Sequence, residues 1–227
     1  MFIFGIVMHE LGHLIGGALG GYRLYYIEVF GLFLIKGDNG YKVGRSKGVP
    51  VGQCIMYHED LNKNPVSLII GGLAANFLLV VSGIIMFIVT DGIVIRTVSL
   101  IVSISNLSLG LMNIFGSTSS DGMTLKEVWG SKTASRVYNE IMVLYFLLGD
   151  PQNRLSVFPE LEEAYNLEQM QAENESKILR KIEEQIADDL KKTDNCGSHR
   201  GSLREELEML FDALKEQEKN GVFRKGI

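Results

Sequence analysis

The sequence predicts a mainly α-helical integral membrane fold: about three membrane-embedded helices, a β-hairpin after the first of them, and a helical tail. Three observations carry that prediction. Pro65 to Val89 contains no charged residue, Ile93 to Phe115 contains only Arg96, and from Asp150 onward Glu, Asp, Lys and Gln replace the Ile, Leu, Val, Phe and Gly of the preceding chain. Each apolar run is long enough to cross a bilayer, and an uncharged helix as long as the first run has no face left for water. The chain therefore divides into a membrane-embedded core over residues 1–149 and an acidic helical tail over residues 150–227.

Met1 to Gly21 has the apolar content of a first helix. Only Met1 to Met8 precede His9, a rise of roughly 12 Å against a hydrocarbon layer of about 30 Å. Either this helix enters the bilayer part-way or the chain start is truncated. From Tyr22 the texture changes to aromatic and β-branched residues, Tyr25, Tyr26, Ile27, Val29 and Phe30, followed by Leu32 to Ile35 and then Gly37-Asp38-Asn39-Gly40. Asn-Gly between strand-like runs is a strong hairpin signal. The two long spans come next, joined by the short link Thr90-Asp91-Gly92. Val137 to Leu148 is apolar but too short to span, so it is expected to lie at the interface or to pack on the bundle. Beyond Pro151 and Pro159, helical stretches are expected over 161–192 and 202–220, separated by the breaker-rich link from Asp194 to Gly201. Ile178, Ile182, Ile186 and Leu190 recur every four residues, as do Leu203, Leu207 and Phe211, which gives narrow apolar stripes suited to a helical hairpin or a partner helix.

Charge placement argues for an orientation. The net charge of −5 comes from the tail, and this balance excludes nucleic-acid binding by an electrostatic surface. Lys36, Lys42, Arg45, Lys47 and Lys63 lie between the first helix and the second span, so the positive-inside rule puts that segment in the cytoplasm. The second span then runs outward, the third runs back, and the tail is cytoplasmic, with the cell membrane as the expected location. Cys54 and Cys196 form no CxxC pair and lie in regions of opposite character, which argues against a disulfide. The N-terminus lacks the basic stretch and small-residue cleavage site of a signal peptide, so it is read as mature structure.

The chemistry is expected at His9-Glu10-Leu11-Gly12-His13. In a helix the two histidines are one turn apart on one face, where both imidazoles reach one ion, and Glu10 stands beside them. Zinc takes such ligands and keeps one position for a water whose pKa it lowers, and a neighbouring carboxylate removes the proton of that water. His9 and His13 are thus candidate ligands and Glu10 the candidate base. Two His and a Glu in an apolar segment are expensive unless they face a bundle interior. A third ligand has to come from elsewhere. Asp121 is the candidate, placed after the third span and followed by Gly122, which lets the backbone approach closely. His58 and His199 sit in links and are expected in solvent. Gly16-Gly17 and Gly20-Gly21 lack the context of a phosphate loop and are expected to allow close helix packing.

HELGH, Gly72-Leu73-Ala74-Ala75-Asn76 and the Asn113 to Asp121-Gly122 segment, with its offset of eight residues, resemble the site-2 protease family of intramembrane metalloproteases over roughly Met1 to Val128. Gly116 and Thr118 stand where that family's prolines usually fall, Met123 replaces a common second glycine, and Ala74 stands where the family's second element varies around proline. The resemblance implies His9, His13 and Asp121 as zinc ligands, Glu10 as base, and Asn76 and Asn113 as polar groups that contact substrate or the oxyanion; the two asparagines also suit helix–helix hydrogen bonds. It implies a zinc-dependent endopeptidase cutting a protein or peptide in or at the membrane, with zinc-bound water as nucleophile. The β-element near the cleft would pair with an unwound substrate, since a helical substrate hides its scissile carbonyl in backbone hydrogen bonds. The alternative is a non-catalytic membrane protein that retains the fold and binds or regulates through its tail.

Overall fold

A computed structural model describes residues 2–37, 40–45, 51–116 and 120–147, together with Glu184, Ala187, Asp188, Lys191, Leu203 and Leu210. The described chain is mostly helical and runs α1 (Phe2–Leu19), β1 (Arg23–Val29), β2 (Leu32–Gly37), β3 (Gly40–Arg45), β4 (Gly52–Tyr57), α2 (Val66–Val89), α3 (Ile93–Phe115), α4 (Asp121–Val128) and α5 (Lys132–Leu147). It forms two compact units, Met1–Met56 with Pro65–Lys126, and Tyr57–Asn64 with Glu127–Ile227.

Three helices of the first unit, α1, α2 and α3, are long and apolar enough to cross a membrane. At 18, 24 and 23 residues they extend for about 27, 36 and 35 Å. Small residues set how α1 and α2 meet. A methyl group at Gly12 would collide with the Gly71 carbonyl, one at Gly71 with the Gly12 carbonyl, and one at Gly16 with the Ser67 carbonyl. Glycine thus brings two backbones together, as the paired glycines of the first helix lead one to expect. Arg96, the lone charge of the third span, donates from Nε to the Phe87 carbonyl at 3.1 Å and lies 4.9 Å from the Phe87 ring centroid. It therefore satisfies one of the carbonyls left open in the last turn of α2 and closes the short α2–α3 link.

The expected hairpin is present as β2 and β3, paired antiparallel with Gly37 opposite Gly40; Asp38 and Asn39 lie outside the described residues. It belongs to a larger sheet of four strands in the order β3-β2-β1-β4. A second tight turn at Phe30-Gly31 joins β1 to β2, with both residues at positive φ, 52° and 78°. That is the conformation of a two-residue turn whose twist matches the flanking strands.

In the second unit, α5 is buried around most of its circumference, including Val137, Ile141, Val143 and Leu144. The 137–148 segment therefore packs as core over its described length. Phe146 stacks on Tyr57 with centroids 4.3 Å apart, and Asn139 Nδ2 donates to the carbonyls of Leu61 and Lys63 at 2.8 and 2.7 Å. Of the tail, Leu203 and Leu210 are helical and buried, and the Leu203 N–H donates to Glu127 Oε2 at 3.3 Å. The stripe from Ile178 to Leu190, Leu207, Phe211, the 194–201 link, Cys196 and His199 lie outside the described residues.

Candidate metal centre

His9 and His13 leave α1 one turn apart, both buried, and their rings meet edge to face with centroids 4.6 Å apart. The closeness of α2 makes this possible. Gly72 faces the two imidazoles, and an added Cβ there would stand 2.5 Å from His13 Nε2 and 2.6 Å from His9 Cε1. The same contact brings the Leu68 carbonyl to 2.9 Å from His13 Nδ1. That ring nitrogen donates its N–H to the carbonyl, which leaves the Nε2 lone pair free. On the other ring, His9 Nδ1 stands 3.0 Å from Asn76 Nδ2.

Asp121 opens α4 and arrives from the far end of α3. Gly122 makes that corner tight, since a side chain there would run into the backbone of Ile114. Asp121 Oδ2 lies 2.9 Å from His9 Nε2 and 3.3 Å from His13 Nε2, and the two Nε2 atoms are 3.1 Å apart. Asp121 Oδ2 is itself buried without a hydrogen bond, and with the ring protons on Nδ1 both Nε2 lone pairs face it. Three electron-pair donors therefore converge on one point, an arrangement that is costly unless a cation sits among them. His9, His13 and Asp121 form a group able to hold a metal ion.

Glu10 is buried and is not one of the three converging groups. Its Oε1 faces Gly52 on β4, where an added Cβ would stand 2.5 Å away. Asn113 Nδ2 reaches toward His9 Nε2 at 3.4 Å, the long limit of a hydrogen bond, so this residue borders the converging atoms. Asn76 lies behind His9 and is 1% exposed. His58, in the second unit, accepts the Asp60 N–H on Nδ1 at 2.9 Å within its own turn. Burial, with the nearby Glu10 charge, pushes the Cys54 thiol above its ordinary range, which suits an inert structural cysteine. The Leu68 carbonyl and Gly52 went unremarked in the sequence. A main-chain acceptor has no residue-type signature, and Gly52 stands in a segment without strand alternation.

His9, Glu10, His13, Gly52, Leu68, Gly72, Asn76, Asn113 and Asp121 all belong to the first unit. Comparison with protein families, with curated proteins and with solved structures found no match to this chain.

Proposed function

We propose that this chain is a zinc-dependent endopeptidase that works within a membrane, as its resemblance to site-2 proteases implies. The observation that carries the reading is the convergence of His9, His13 and Asp121, from α1 and the start of α4, beside the buried carboxylate of Glu10. The triangle has edges of 2.9, 3.1 and 3.3 Å, and tetrahedral zinc with bonds of about 2.0 to 2.1 Å spaces its ligand atoms about 3.3 Å apart. The donors need to spread by only a few tenths of an ångström. Two histidines and one carboxylate also serve non-haem iron; an adjacent glutamate with no place among the ligands favours hydrolysis.

When bound, zinc lowers the pKa of water and polarises the carbonyl to be cut. Glu10 takes the proton of the attacking water and returns it to the amide nitrogen that leaves. Asn113, at the edge of the ligand triangle, is placed to donate to the oxygen on which negative charge develops. Among the described residues strand β4 ends the sheet order, and it passes Glu10 at Gly52, so its outer edge offers hydrogen bonds to an extended substrate segment beside the base.

Exposure of large apolar side chains supports the membrane setting. Phe77, Ile88, Ile93, Val94, Met112 and Phe115 are all more than half exposed on α2 and α3, and contiguous apolar surface of this kind belongs in lipid. The basic connection before α2 argues for a cytoplasmic position of the sheet and of the acidic tail.

The test uses the full chain purified in detergent without chelator, its zinc content, and cleavage of a panel of transmembrane peptides reconstituted in liposomes. Glu10→Gln is expected to keep one zinc per chain and to lose at least about 100-fold in cleavage rate, the lower end of general-base contributions. Cleavage by Glu10→Gln at the wild-type rate would overturn the assignment of the base. A wild-type protein that holds zinc and cuts none of the panel would favour the non-catalytic reading.

A further inference from the structure

Both candidate histidine ligands must present Nε2 to the ion, so both must carry their ring proton on Nδ1. The chain fixes the two tautomers by different means. For His13 the Leu68 main-chain carbonyl accepts the Nδ1–H at 2.9 Å. For His9 the group at Nδ1 is the Asn76 amide at 3.0 Å, on a residue that is 1% exposed.

The amide can face His9 in two ways. With Nδ2 toward the ring, His9 Nδ1 must be the acceptor, and its proton then sits on Nε2, pointing at His13 Nε2 and Asp121 Oδ2. In that arrangement Asn76 Oδ1 is buried without a hydrogen-bond partner. A half-turn of the amide exchanges its oxygen and nitrogen, lets Oδ1 accept the Nδ1–H, and frees the His9 Nε2 lone pair for the metal. One rotation thus pairs the orphaned oxygen and gives the required tautomer, at the cost of the amide N–H contact to the ring.

We infer that Asn76 is a positioning residue for the metal centre, whose amide oxygen accepts the His9 Nδ1–H and so fixes His9 in its metal-binding tautomer. This differs from a contact with substrate: the amide lies on the far side of the imidazole from the ligand triangle. It rests on the metal-site reading above. A hydrogen-bonded acceptor behind a ligating imidazole also raises the basicity of the ligand nitrogen, and loss of such a group typically weakens metal binding 10- to 100-fold.

The experiment compares full-length wild type, Asn76→Leu and Asn76→Asp. Leucine keeps the approximate volume and removes the acceptor, whereas aspartate keeps an acceptor in place. Zinc affinity is measured by competition with a chromophoric chelator, and the ring-nitrogen shifts of 15N-labelled histidine are recorded on zinc-free protein. Asn76→Leu is expected to bind zinc about 10- to 100-fold more weakly, and Asn76→Asp to restore wild-type affinity or better. In wild type both histidines should carry the proton on Nδ1; in Asn76→Leu, His9 should lose that preference and His13, held by the Leu68 carbonyl, should keep it. A residue that merely packed the helices would not shift one ring and spare the other. The inference is overturned if wild-type His9 is protonated on Nε2, if Asn76→Leu binds zinc as tightly as wild type, or if Asn76→Asp binds as weakly as Asn76→Leu. A wild type that takes up no stoichiometric zinc would instead overturn the metal reading, and the His9 ring shifts would still decide the part played by Asn76.

Discussion

Phe30 holds its backbone at φ 52°, followed by Gly31 at 78°. A left-handed conformation costs an ordinary L-residue roughly 1 to 2 kcal/mol, and asparagine tolerates it better. Phe30 is 41% exposed, so any replacement also loses the burial of its ring, and the turn is best read against a second variant that loses the same ring. Phe30→Asn should be more stable than Phe30→Ala by about 1 kcal/mol, read as a later unfolding midpoint in a denaturing-detergent titration; an equal or earlier midpoint would contradict the strained turn. The sequence concealed this turn because Phe-Gly is not a turn-forming pair, whereas Asn39-Gly40 announced the next one. Residue-level legibility at the metal centre divides in a similar way. Spacing alone marked His9, Glu10 and His13, since their relation is local to one helix. Asp121 was reached through its position after the last span and before Gly122. The Leu68 carbonyl that orients His13 is a main-chain group supplied 55 residues away, and nothing in its side chain reports it.

Elements place these residues by contact between backbones. The α1–α2 crossing relies on Gly12, Gly16, Gly71 and Gly72, and Gly72 is the one whose missing side chain makes room for both imidazoles. Gly72→Ala puts a methyl group 2.5 Å from His13 Nε2, so either the rings or the helix must move. The expected result is a loss of zinc affinity of at least about tenfold, comparable to losing an outer-shell partner, with far-UV circular dichroism unchanged. Wild-type affinity in Gly72→Ala would show that the rings have more room than the crossing allows. The sheet was legible only in part. Aromatic and β-branched residues from Tyr25 to Ile35 marked β1 and β2, while β4, with the sequence GQCIMY, shows neither alternation nor β-branched enrichment and read as part of a connecting segment. Its place beside β1 is set by long-range pairing, which local propensity does not encode. The short apolar segment of α5 left two placements open; the structure buries it, with Asn139 tying it to the 61–63 turn.

At the scale of the whole molecule, α2 and α3 were legible from length and the near absence of charge, and α1 from its apolar content around the HELGH motif, because lipid and protein interior impose the same demand on every face of a helix. Their orientation is a matter of the basic residues before α2. If the sheet and tail are cytoplasmic, the Thr90–Gly92 link lies outside, and a single cysteine introduced as Asp91→Cys in a Cys54→Ser, Cys196→Ser background should react in intact cells with a membrane-impermeant maleimide. Protection of that cysteine in whole cells, with labelling only after permeabilisation, would reverse the topology. The glycine crossing also acts as a depth gauge. Because the backbones of α1 and α2 meet at glycines, a shift of α1 along α2 by a residue would put a side chain where a facing carbonyl stands. His9 and His13 are thereby held at the level of Gly72, six residues from the start of α2, about 9 Å along its axis. On the proposed reading, the bond to be cut must be carried to that level of the bilayer, so position along the membrane normal, and not only the chemistry of neighbouring side chains, selects where a substrate is cleaved.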